Sequence, residues 1–270
     1  MLRIENLHKT FHPGTPQEVH ALRGVGLTID PGSCVVVIGT NGSGKSTLLN
    51  AVAGTFLPDA GVISLAGQDI SRWPEHRRAC FIGRVFQNPF SGTAPHMTIA
   101  ENLALAALRG RPRGLGWSLG RKSVQENSSR VRDLGMGLES RLDNDIGTLS
   151  GGQRQALTLL MAAWVKPQLL LLDEHTAALD PKTADQVIRL TREIIRRDCL
   201  TTLMVTHSMQ QAVNLGDRLI MMHHGRVIAD FSGLEKRRLS VEALLSRFED
   251  VRREEQLDAS GAELLRASYV

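Results

Sequence analysis

Short, wholly apolar runs alternate along this chain with longer runs of helical spacing. Cys34-Val-Val-Val-Ile38 is rich in β-branched residues; it passes into a glycine-rich turn and then into the helix-spaced set Leu48, Leu49, Ala51, Val52 and Ala53. The run Leu169–Leu172 is bounded by Pro167 on one side and by Asp173 and Glu174 on the other. A short run this apolar, framed by a breaker and by charges, reads as a strand buried on both faces of a parallel sheet. Thr201–Val205 reads as another strand, and His223-His224-Gly225 as a hairpin tip. Helical spacing marks Met97–Leu108, the polar and amphipathic Ser123–Leu134, and the set Ala156, Leu157, Leu159, Leu160 and Ala163. Strands alternating with helices predict an α/β fold. After Phe231 the chain changes character. Residues 235–255 carry six cations and six acids, with Leu239, Leu244, Leu245, Phe248 and Val251 at helical spacing. That pattern predicts an amphipathic helix capped by Ser240, with residues 256–270 left as either a tail or a second helix.

Composition narrows the class. With 270 residues the chain can bury a substantial core, and 42% apolar with 22% charged residues excludes disorder, collagen and coiled coil. No apolar run approaches the roughly 18 residues that a membrane helix needs. The first residues, Met1-Leu-Arg-Ile-Glu-Asn, lack the basic-then-apolar pattern of a secretory signal, so the expected location is cytosolic. Cys34, Cys80 and Cys199 are scattered and suit neither a disulfide framework nor a zinc site. The net charge of +4 arises from one loop, residues 109–122, which holds Arg109, Arg111, Arg113, Arg121 and Lys122 and no acid. Nucleic-acid binders spread cations over a face and interleave aromatics; here aromatics are 4%, and no nucleic-acid partner is expected. The loop reads as a solvated connection, with lipid headgroups or a membrane partner as the other possibility.

Candidate chemistry begins at Gly39-Thr-Asn41-Gly42-Ser43-Gly44-Lys45-Ser46-Thr47. The strand before it and the helix after it supply the context that a phosphate-binding glycine loop requires. The glycines let successive backbone N–H groups turn inward, and the following helix directs its positive end to the same point. Residues Gly39 to Thr47 are therefore expected to cradle a polyphosphate, with Lys45 reaching its outer phosphates and the Ser46 hydroxyl ligating Mg²⁺. Asp173 and Glu174 emerge at the end of a buried strand, where open α/β sheets bind ligands. Asp173 is expected to hold the metal and Glu174 to take a proton from the attacking water.

The third station is Leu149-Ser150-Gly151-Gly152-Gln153. It resembles the signature of the ABC-type ATPases, and other stretches resemble that family in family order. Val85-Phe86-Gln87-Asn88-Pro89 is similar to its Q-loop, Ala178-Leu179-Asp180 to its D-loop and Thr206-His207 to its H-loop. Together these motifs cover residues 1 to about 231. The resemblance implies a P-loop NTPase parallel-sheet core, an antiparallel β subdomain from residues 1–34 and 60–70, an inserted α-helical subdomain near 91–150, and a nucleotide-binding domain over 1–233 with a C-terminal helical extension over 234–270. It implies ATP and Mg²⁺ as cofactors, with Lys45, Gln87, Glu174 and His207 catalytic, Ser46, Gln87 and Asp173 at the metal, and Asp180 at the nucleotide. Phe11 is the best match to an aromatic that stacks on adenine. Free N–H groups open the signature helix, and the resemblance implies that Ser150, Gly151, Gly152 and Gln153 cover the nucleotide held by a second copy of the chain. His175 stands where many members carry proline, and a loop-shaping role is expected for it rather than catalysis.

The implied function is hydrolysis of ATP for membrane transport, with separate transmembrane permease chains and, indirectly, an extracytoplasmic substrate-binding protein. Phe86–Asn102 and Asp173–Asp180 are similar to importer ATPases of the amino-acid uptake kind. A lipid, lipoprotein or drug exporter ATPase would share every motif, and a soluble ABC ATPase is the remaining alternative.

Overall fold

The computed structural model of the protein describes residues 1–111, 121–250 and 253. Most of the basic loop, Val251 and the tail 256–270 lie outside the described residues. In chain order the elements are β1 (Leu2–Phe11), β2 (Val19–Ile29), β3 (Cys34–Gly39), α1 (Lys45–Ala53), β4 (Ala60–Leu65), β5 (Gln68–Asp69), α2 (Glu75–Arg78), β6 (Ile82–Val85), α3 (Ile99–Ala107), α4 (Arg121–Arg132), α5 (Gly151–Trp164), β7 (Leu169–Asp173), α6 (Pro181–Asp198), β8 (Thr202–Val205), α7 (Met209–Asn214), β9 (Arg218–His223), β10 (Arg226–Ser232) and α8 (Gly233–Arg238). The expected α/β fold with two kinds of sheet is what the chain adopts.

The larger sheet has the order β10-β9-β3-β8-β7-β6, parallel from β9 through β6. Alternation along each strand sends side chains to opposite faces, so one strand feeds two cores. Val35, Val37, Leu169 and Leu171 join α1 and the antiparallel sheet β2-β1-β4-β5, while Val36, Ile38, Leu170 and Leu172 join α5, α3 and the following helices. The four leucines of β7 are 0% exposed for this reason. A side chain of that size contributes about 1.5–3 kcal/mol when fully buried. Val205 pairs with both Val37 and Asp173, which brings the C-terminal ends of β3, β8 and β7 level. The loops that leave those ends carry the candidate chemistry.

The C-terminal helix expected at the Ser240 cap starts there, and a separate short helix precedes it. α8 ends at Arg238, and a further helix covers residues 241–250. The Ser240 hydroxyl accepts the Ala243 N–H at 3.2 Å, a local bond that starts a new helix and competes with continuation of the old one. Lys236 fixes α8 separately by donating to the Val213 carbonyl at 2.5 Å. Leu244 and Phe248 bury themselves against the α5 side of the sheet, whereas Leu245 is 46% exposed and lies off the buried stripe. The hairpin tip lies at His224-Gly225, both with positive φ, as a two-residue turn between β9 and β10 requires.

Candidate functional site

The glycine loop is built by close backbone approach. Gly44 has φ +97°, and a Cβ there would lie 2.4 Å from the Ala21 carbonyl, so only glycine fits. The next helical bond runs from Leu48 N–H to Gly44 O at 2.8 Å. The N–H groups of Lys45, Ser46 and Thr47 therefore have no partner in their own helix, and α1 has neither a capping side chain nor an acid in its first turn. Asn41, Gly42 and Ser46 are exposed at the loop's open side, and Ser43 is buried. The Lys45 ammonium donates to the carbonyls of Gly39 and Thr40, each at 2.9 Å. Burial lowers its pKa, and the carboxylates of Glu174 and Asp173 oppose that shift. The loop is thus rich in donors aimed at a region that holds two carboxylates.

Asp173 ends β7, and burial raises its pKa; the nearby Arg84 guanidinium and the Ser46 hydroxyl oppose this. Asp173 Oδ1 is buried and has no hydrogen-bond partner. An orphaned carboxylate oxygen beside a hydroxyl on the first turn of α1 is an all-oxygen donor set, which fits Mg²⁺, an ion that binds few protein oxygens and keeps its waters. Glu174 follows in the left-handed region at φ +46°, and its N–H bonds the Val205 carbonyl at 3.0 Å. This sets its carboxylate against His207, whose Nε2 lies 2.5 Å from Glu174 Oε1. Lys45, Ser46, Asp173, Glu174 and His207 therefore meet around one point.

Other candidates lie elsewhere. Gln87 is exposed and makes no side-chain hydrogen bond among the described residues. It follows β6 beside a cleft of about 250 Å³ that Arg84, Phe86, Glu75 and Thr158 help to line. The half-buried Phe11 ring ends β1 and packs edge-on against Phe56, centroids 5.3 Å apart, with the Lys9 ammonium 5.6 Å from its centre. Ser150 caps α5: its hydroxyl accepts the Gln153 N–H, and the Gln153 side chain accepts the Ser150 N–H, each at 3.3 Å. The exposed Gly151 lies against Leu179, and a Cβ on Gly152 would stand 1.9 Å from the Thr183 methyl. Asp180 caps α6 by accepting the Thr183 N–H at 3.1 Å, and that bonding holds its pKa below the usual range. The signature and the Leu179-Asp180 turn are therefore one packed unit, apart from the glycine loop of the same chain.

Sequence reasoning expected a loop-shaping role for His175 and missed its partner and the other braces around the site. The His175 imidazole is fully buried and neutral, with burial pushing its pKa down to about 4. Thr191 spends its hydroxyl proton on the Val187 carbonyl at 2.8 Å, so it accepts from His175 Nε2–H at 2.9 Å. Gln211 joins Thr176 at 3.1 Å and Thr206 at 2.8 Å, tying the loop after Glu174 to the strand end before His207. Thr40 contacts His223 Nδ1 at 3.2 Å, and Gly225 N–H donates to Ser43 O at 3.0 Å. Arg84, within β6, belongs to no motif that would single it out.

A family model described as "ABC transporter" matches residues 22–177. The chain is similar to the "Tyrosine transport ATP-binding protein" of Clostridioides difficile, with 44% identity over 251 residues that cover 92% of this chain and 99% of that one. It is 36% identical over 233 residues to the lipoprotein-releasing system ATP-binding protein LolD of Ruegeria pomeroyi, covering 85% and 97%. Among solved structures it superposes on a dimeric ATP-binding cassette in a post-hydrolysis state bound to ADP and Pi, with TM-score 0.74 and 27% identity over 86% of this chain and 98% of that one.

Proposed function

We propose, from the premise that the chain belongs to the ABC transporter family of ATP-hydrolysing subunits, that it performs Mg²⁺-dependent ATP hydrolysis to drive uptake of a small solute, an amino acid first of all. The observation that carries the chemistry is the convergence of Lys45, Ser46, Asp173, Glu174 and His207 at the ends of three neighbouring strands. The Lys45 ammonium would exchange the Gly39 and Thr40 carbonyls for phosphate oxygens, a charge-assisted contact stronger than the neutral ones it replaces. Asp173 Oδ1 and the Ser46 hydroxyl would hold Mg²⁺, which when bound neutralises charge on the phosphate oxygens. Glu174 would take the proton of the attacking water on its carboxylate. His207, already donating to that carboxylate, would keep it oriented and would face the outer phosphate. Asn41, Gly42, Ser43, Gly44 and Thr47 would line the phosphates, and Phe11 would meet the base.

The exposed Ser150 and Gly151, with Gly152, Gln153 and the neighbouring Asp180, would complete the site of a second copy. The dimeric state of the solved cassette with ADP and Pi supports this reading. Gln87 would report the nucleotide state to a transmembrane permease at the cytoplasmic face of the membrane, with a substrate-binding protein outside. The relative named for tyrosine transport supports an amino acid as the solute. The relative named for lipoprotein release supports export as the second reading.

Glu174→Gln tests the chemistry. A positioned base contributes about 10² to 10⁴ in rate, so turnover should fall by that factor while nucleotide binding persists. Hydrolysis within a fewfold of the unsubstituted protein would remove Glu174 from the role. Import is tested by tyrosine uptake into vesicles that hold this chain with the permease that co-purifies with it; release of a lipoprotein without uptake would favour the second reading.

A further inference from the structure

We infer that Arg84 is the resident counterion of Asp173 and competes with the divalent cation for that carboxylate. The inference rests on the reading of Asp173 as a metal-holding residue. Arg84 is the one cation in salt-bridge range of Asp173 among the described residues, with Nη2 at 3.8 Å from Oδ2 and both side chains only 13% exposed. At that separation the contact is Coulombic and is not a hydrogen bond. The guanidinium is kept from closing the gap by neutral partners. Nη2 donates to Asn50 Oδ1 at 2.5 Å and Nη1 to Thr55 Oγ1 at 3.1 Å, while the Phe86 ring centre lies 4.4 Å away on another side. Asn50 belongs to α1, the helix that begins at Lys45, so the cation is anchored to the same rigid element as the glycine loop.

The arrangement serves two opposed needs. A carboxylate buried without a countercharge is costly, and Arg84 supplies that charge. A bidentate grip would occupy both oxygens, whereas a guanidinium held at arm's length leaves Oδ1 without a partner. Once a divalent cation joins Oδ1, the same guanidinium becomes a nearby like charge. Arg84 thus stabilises the empty site and weakens the filled one, which favours release of the metal with the spent nucleotide.

The test uses R84Q and R84K, each with Asp173 intact and with Asp173→Asn. In nucleotide-free protein, R84Q should lower Tm by about 3–6 °C when Asp173 is present and by less than half as much in the Asn background. An equal drop in both backgrounds would reduce Arg84 to a prop for Asn50 and Thr55 and overturn the inference. Calorimetric titration of Mg²⁺ into ADP-saturated protein should show R84Q binding the metal about three- to tenfold tighter, because a unit like charge has been removed from a poorly screened site. R84K, which keeps the charge and loses the fork, should stay within about twofold of the unsubstituted protein on the same ground. Metal binding in R84Q no tighter than in the unsubstituted protein would also overturn the inference. If the unsubstituted protein shows no Mg²⁺-dependent step with ADP, the metal reading itself has failed, and the Tm comparison still decides whether Arg84 and Asp173 are paired.

Discussion

His175 sits one residue beyond the proposed base, yet its imidazole faces α6, fully buried, and burial holds its pKa at about 4 against an ordinary 6.5. Between those values the unfolded chain binds a proton that the folded chain refuses. Stability is therefore complete above the unfolded value and is lost as the pH falls toward the folded one. A gap of this size amounts to about 2 kcal/mol lost at pH 5 and about 3 kcal/mol at pH 4. His175→Gln removes the titration, and its amide can still donate to Thr191 Oγ1. Any packing penalty of the substitution is independent of pH, so it cancels when the Tm difference between the two proteins is followed across pH. The variant should gain on the parent by about 4–8 °C between pH 7.5 and pH 5, at roughly 2–4 °C per kcal/mol for a chain near this size. Parallel Tm curves from pH 7.5 to pH 4.5, or an imidazole resonance titrating near 6.5, would refute the reasoning.

Gly152→Ala should destabilise the protein by about 1–3 kcal/mol through overpacking, since the new Cβ would stand 1.9 Å from the Thr183 methyl; Thr183→Ser removes that methyl and should restore the midpoint of urea unfolding. The shared site predicts that specific ATPase activity falls with dilution, and activity that stays constant where sedimentation shows only monomer with ATP bound would rule it out. Cross-linking in membranes should place the permease near residues 88–100, and protection only at the C-terminal helices would contradict that placement.

The local pattern of the chain carries most of the fold. The unbroken apolar runs Val35–Ile38 and Leu169–Leu172 specify strands buried on both faces, because side chains that alternate between two faces then leave no polar side to expose. The glycine loop, the acids after β7 and the Ser150 cap were legible for a related reason: each depends on backbone geometry or on partners within a few residues. The start of the C-terminal helix was also written locally, in the Ser240 cap, whereas packing alone decided that Leu244 is buried and Leu245 exposed. Other features had no local mark. The approach of Arg84 to Asp173, the Gln211 bridge between two loops and the contact of Thr40 with His223 join residues that are from 5 to 183 positions apart. The strand order β9-β3-β8-β7-β6 creates them. Sequence spacing determines what a residue does within its own element. Which side chains face one another across two elements is settled only when the sheet forms, because strand order and register are collective results of burying both faces at once.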